Sequence, residues 1–184
     1  MFSTGSGASA TASVGTGYVQ KIFLDNDGSG FTSTPTVAIT TAPSGGTDAT
    51  AVAITTTRNN ITSISEILLT NAGTGYTVAP TITISGGGGT GAAATCGIIT
   101  AHRGVISFTI TDGGSGFTTT PPVSIAAPPL SPTIAASAKA VVSAAGSITE
   151  IRIVNAGAGF LGSAPNVTIG SAATTGIGTY WFNE

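Results

Sequence analysis

Asn71-Ala72-Gly73-Thr74-Gly75-Tyr76-Thr77-Val78-Ala79-Pro80-Thr81-Ile82-Thr83-Ile84 is the stretch whose reading decides the fold. Its last four residues alternate polar and apolar, the period-two signature of a strand with one buried face. Pro80 suits the start of such a strand, because it fixes φ and donates no hydrogen bond to a ladder. The paired glycines permit positive φ at a sharp corner where a Cβ would clash. Tyr76 can then fold over that corner and cover the end of the core. The short side chain of Asn71 can hydrogen-bond the turning backbone.

Working outward, the same pattern recurs along the chain. Gly-x-Gly-aromatic stands at Gly28 to Phe31, Gly73 to Tyr76, Gly114 to Phe117 and Gly157 to Phe160, its aromatics 45, 41 and 43 residues apart. Asn26, Asn71, Asp112 and Asn155 lie two residues before the first glycine, and Pro35, Pro80, Pro121 and Pro165 follow the aromatic. Each corner is preceded by a triplet with large apolar residues at its first and third places. These are Ile22-Phe23-Leu24, Ile67-Leu68-Leu69, Phe108-Thr109-Ile110 and Ile151-Arg152-Ile153. A third, small-residue segment closes each unit: Ala49 to Ile54, Ala92 to Ile99 and Ala135 to Val142, with Ala8 to Val14 as a stray copy ahead of the first. Gly and Pro recur too often for helix, and β-branched residues fill the runs.

The expectation is an all-β chain of about thirteen short strands in four repeats of about 42 residues, three strands each. They stack as a β-prism or solenoid-like array, with a tandem β-sandwich as the alternative. The divisions are 1–16 as an N-terminal partial repeat or arm, 17–58, 59–103, 104–146, and 147–184 as the fourth repeat with a C-terminal cap. The expected inward pairs are Ile22/Leu24, Val37/Ile39, Ile67/Leu69, Ile82/Ile84, Phe108/Ile110, Val123/Ile125, Ile151/Ile153 and Val167/Ile169. The alanine segments leave little volume, so another backbone must approach them closely. The glycine loop from Ser85 to Gly91 reads as more forgiving than the corners, making Gly88 a natural control for a strained Gly75.

Charge is scarce. Only 7% of residues are charged, against roughly a quarter in ordinary domains, so much of the surface is expected to face neighbouring copies or partners. The net charge of −2 provides no basic field for nucleic acid or anionic lipid. No apolar run approaches the roughly twenty residues that span a bilayer. Met1 to Gly7 does not read as a secretory signal, and Cys96, the single cysteine, excludes an internal disulfide framework. An extracellular look without an export signal or disulfides fits a virion protein, assembled in a host cytoplasm and exposed on the extracellular particle.

The pattern resembles the glycine-rich repeat of predicted structural proteins from marine phages, cyanophages especially, and of some large bacterial surface proteins. Gly73 to Ile84 and Gly86 to Ala94 carry the resemblance, and weaker copies extend it from Ala8 onward. The third copy departs most, with Ala127-Pro128-Pro129-Leu130-Ser131-Pro132 in place of the glycine loop. The resemblance implies a virion or surface location and supplies no catalytic residues.

No residue set reads as a catalytic, cofactor or metal site. His102 stands in the Ala101-His102-Arg103-Gly104 link and reads as a polar turn residue. Cys96, aligned with Ala53 and Lys139, reads as a small strand residue without an activating neighbour. Asp25-Asn26-Asp27-Gly28 invites comparison with a calcium loop, but the sister segments carry at most one carboxylate, so a structural turn is expected. The glycine runs lack the Gly-Lys-Ser/Thr of phosphate loops. Asn60-Ile61-Thr62 and Asn166-Val167-Thr168 match the glycosylation sequon, as expected by chance in a Thr-rich chain, and Thr81 and Thr83 have no regular counterparts for an ice-binding array.

The expected function is therefore non-enzymatic: a capsid decoration, fibre or tail-associated protein whose partners are copies of itself and other virion proteins. The alternative is a carbohydrate-binding or adhesive module. Ala8 to Val14 and the segment around Tyr180, Trp181 and Phe182 are expected at contacts, as unpaired edges at the two ends of the array.

Overall fold

The computed structural model describes residues 5–131 and 133–171. Within them the chain is all-β, without a helix. The strands are β1 (Ser6–Gly15), β2 (Tyr18–Ser29), β3 (Thr36–Ile39), β4 (Thr50–Arg58), β5 (Ile61–Asn71), β6 (Ile82–Ser85), β7 (Thr90–Ile99), β8 (Gly104–Ser115), β9 (Val123–Ile125), β10 (Ser137–Val142), β11 (Ile148–Asn155) and β12 (Val167–Ile169). These are twelve, where the sequence suggested about thirteen. The large-residue triplets lie in β2, β5, β8 and β11, the small-residue segments in β1, β4, β7 and β10, and the proline-led runs in β3, β6, β9 and β12.

Every ladder is antiparallel, and each joins particular kinds of strand. Small-residue strands pair with large-residue strands, as β1–β8, β7–β2, β4–β5 and β10–β11. Proline-led strands pair with each other, as β3–β6 and β9–β12. A bridge between Leu69 and Ile153 joins two ladders into the sheet β10-β11-β5-β4. The other four sheets are two-stranded, and none closes into a barrel. The segment Ala8 to Val14, expected to offer an unpaired edge, is instead laddered to β8 from Ser6 opposite Ser115 to Gly15 opposite Gly104.

All sixteen expected inward residues join one of two hydrophobic clusters, buried outright or half-buried against them. A further set was not expected: Val19, Ile64, Val105 and Ile148 are among the most deeply buried side chains. The cause is a shared irregularity in the ladders. Register shifts leave Gln20, Ser65, Ile106 and Thr149 unopposed, and shift again at Asp25, Thr70, Thr111 and Val154. Each bulge inserts one residue and reverses the alternation beyond it. The residue three before each triplet thus points inward, where strict period two would turn it outward.

The links decide which strands pair as hairpins. Asn59 and Asn60 have φ of 50° and 63°, the double positive φ of a type I′ turn, and β4–β5 is a tight hairpin. Between β10 and β11, Gly146 at φ 77° closes a short loop through its N–H to Ser143 O at 2.9 Å. Thr16-Gly17, between β1 and β2, cannot repeat the Asn-Asn geometry, because β-branched Thr16 resists positive φ. The link from Thr100 to Arg103 contains no residue with positive φ. At these two links the chain does not fold back. The adjacent strands separate and exchange partners, β1 taking β8 while β7 takes β2.

Candidate functional site

The four corners are built alike. The side-chain oxygens of Asn26, Asn71, Asp112 and Asn155 accept the N–H of Gly28, Gly73, Gly114 and Gly157 at 2.9, 2.8, 2.8 and 2.9 Å. Both glycines of every corner have positive φ. Phe31, Tyr76, Phe117 and Phe160 are buried beneath their corners. The Tyr76 hydroxyl accepts the Ala49 N–H at 2.9 Å and donates to Thr40 O at 3.2 Å, and burial pushes its pKa up. The ring of Phe31 lies over Gly89 and that of Phe117 over Gly5, where a Cβ would strike them. The corners are therefore structural, and none of their aromatics is exposed for a ligand.

At the centre the four large-residue strands are tied in a closed cycle of backbone hydrogen bonds. Val19 N donates to Ala72 O (2.9 Å), Ala72 N to Ile106 O (2.7 Å), Val105 N to Ala156 O (2.8 Å) and Ala156 N to Gln20 O (2.8 Å). Val19, Ala72, Val105 and Ala156 are fully buried. Tyr18 lies beside them, its ring against Gly104 and its phenol donating to Gly157 O; burial raises its pKa strongly.

The two exchange links meet at the surface, where Gly15 to Gly17, Thr74 to Thr77, Thr100 and Arg103 line an open cleft of about 460 Å³. It offers hydroxyls, backbone groups and one guanidinium, without a nucleophile beside a base. His102 lies in the same link, half-buried. Cys96 faces Ile22 in β7, its thiol 3.5 Å from Pro80 O and its pKa pushed up by burial. The register corrects its alignment: the residues opposite the first triplet position in the sister ladders are Ala12, Ala53 and Ala140, not Lys139. Asn26 is used by its own turn, and Asp25 accepts the Thr95 hydroxyl at 3.3 Å. Among the described residues no three His, Cys, Asp or Glu side chains gather where they could hold a metal ion.

Asn60 is an exposed hairpin residue, and Asn166 is exposed just before β12. Thr81 and Thr83 are exposed, Thr81 bonded to Thr40 and Thr83 opposite Ala38, so an alanine interrupts any threonine array. Gly88, expected to be forgiving, has φ of 78°, and a Cβ there would sit 2.9 Å from Thr32 Oγ1. Tyr180, Trp181 and Phe182 lie outside the described residues. Comparisons with protein families, with curated proteins and with solved structures find no match to the chain.

The outward faces of the ladders carry many short hydroxyl side chains, with charged residues set among them in β2, β4, β5, β8, β10 and β11. Hydroxyls pair across them at Ser9–Thr111 (2.7 Å), Thr50–Thr70 (2.6 Å) and Thr57–Thr62 (2.8 Å). The ion pairs found among the described residues, Lys139–Glu66 and Arg152–Glu150, lie together on the outer side of the four-stranded sheet.

Proposed function

We propose that the protein is a non-catalytic building block of a phage particle, a decoration, fibre or tail-associated component that works by multimerising and docking on the virion. The observation that carries this reading is the character of the outward ladders. Hydroxyls pair across the β1–β8 and β4–β5 ladders, so those faces are largely short-chained, and charge is sparse over the chain as a whole. Such faces pack against a neighbour without stripping water from many charges. The resemblance to the glycine-rich repeat of phage structural proteins points the same way. Within this reading the four units form one prism-like group around two clusters, with Phe108 packed against both. The closed cycle through Val19, Ala72, Val105 and Ala156 favours that over an open solenoid, in which each unit touches only its neighbours.

A mass-spectrometric inventory of particles purified from the encoding organism or its phage tests the proposal. Peptides of this chain should co-purify with particles at many copies each. Their presence in the lysate but absence from particles would overturn it. The adhesive alternative has one observation in its favour: Phe23 is 48% exposed, with Lys21 Nζ 5.5 Å from its ring centroid. Glycan binding lost in Phe23→Ala would support that alternative.

A further inference from the structure

We propose that the β8 edge, together with the Phe117 ring, is a strand-acceptor site that takes β1 of a second copy, so that copies join by exchanging Ser6–Gly15. This rests on the assembly reading above and specifies its contact. The exchange already operates within one chain. β4–β5 and β10–β11 are formed by strands adjacent in sequence, whereas β1 and β7 have traded partners. The traded ladders repeat the hairpin register, including both bulges, so the acceptor recognises strand pattern and not chain connectivity.

The site selects its occupant by shape. Alternate residues Ala8, Ala10 and Ala12 pack against the two clusters, and their smallness lets the strand lie close to the core. Phe117 covers the place where any side chain at Gly5 would sit, so the occupant must carry glycine there. Thr16-Gly17 is the link between β1 and β2. Exchange between copies would make the same contacts and change only which chain supplies the strand, the low-cost route to assembly. A strand tethered by a short link has an effective concentration of order millimolar, so its own chain wins in dilute solution. Crowded chains, as on a particle surface or during concentrated refolding, shift the balance toward exchange.

The test uses the full chain with Cys96→Ala as background. Thr11 and Thr109 face each other across β1 and β8, and both are exposed. Chains carrying Thr11→Cys are mixed with chains carrying Thr109→Cys, unfolded, refolded over a range of concentrations and treated with a short bis-maleimide. A chain carrying both substitutions calibrates the reaction. The double variant should close within itself, and the mixture should give an inter-chain product on a denaturing gel that rises with refolding concentration. Closure within the double variant, with no inter-chain product at any concentration, would overturn strand exchange. A double variant that fails to close would overturn it too, by removing the ladder itself. Light scattering on the same samples separates the two readings. Oligomers without the cross-link would sink the exchange and leave assembly standing; monomers throughout would sink both.

Discussion

Gly73 meets two demands at once. Its φ is 66°, and a Cβ there would lie 2.6 Å from Thr47 O and 2.7 Å from Ala49 N. Gly30 has φ of 77° with nothing within 4 Å, so it meets only the first demand. Gly162 is exposed, lies outside the positive-φ region and has open space around its Cα. Alanine at Gly30 should cost about 1–2 kcal/mol of left-handed strain. Gly73→Ala should cost more, because backbone must also move, and Gly162→Ala should be neutral or slightly stabilising. Urea denaturation of the three variants checks the order; equal midpoints for Gly73→Ala and Gly30→Ala would refute the crowding at Gly73. The corners were legible in sequence because their causes are local: the glycines, the Asn or Asp two residues earlier and the aromatic all act within a few residues. Gly88 was misread for the complementary reason. It is held at φ 78° in a loop docked on Thr32, far away in sequence.

At the scale of the strand, sequence gave the three kinds and their inward faces, since period two survives wherever the ladder is regular. It missed Val19, Ile64, Val105 and Ile148, because a bulge has no residue signature in this chain: Gln20, Ser65, Ile106 and Thr149 share neither size nor polarity. It also missed the exchange of β1 and β7, which turns on the backbone angles available to links of a few residues. Two predictions belong here. Ala53 is buried opposite Ile67, and Ala53→Leu should cost about 1–3 kcal/mol by overpacking. Thr57→Val, on an exposed position of the same strand, should stay within about 0.5 kcal/mol plus the loss of its hydroxyl pairing with Thr62. Asn60→Val places a β-branched residue at φ 63° and should destabilise the β4–β5 hairpin, lowering the melting temperature. A Thr16→Val variant, outside any such turn, should melt near the parent. Similar losses from both link variants would refute the account of why one link turns back and the other crosses over.

Taken whole, the molecule holds itself together with apolar burial and backbone ladders, and charge contributes little. The Lys139–Glu66 and Arg152–Glu150 pairs are partly solvated and each is worth at most about 1 kcal/mol. Melting temperature and self-association should therefore change little between low and moderate salt; oligomers that dissolve in moderate salt would contradict this. Alkaline pH should act differently. Burial raises the Cys96 thiol above its ordinary 9.0 and the Tyr76 and Tyr18 phenols above their ordinary 10.0. The unfolded chain thus gives up these protons first. Their contribution is full below pH 9 and falls as pH rises through 9 and then 10. In thermal melts Cys96→Ala should delay the onset of the loss but leave the later decline. The central proposal is that the exchanged ladders and the hydrogen-bonded cycle make one cooperative body of the four ladders. Native-state hydrogen exchange tests it most directly, through the amides of Val19, Ala72, Val105 and Ala156 that close the cycle. The account predicts that these four exchange only by global unfolding, with one shared free energy and one denaturant dependence. Ala72 exchanging by a separate, smaller opening while Ala156 stays protected would contradict it.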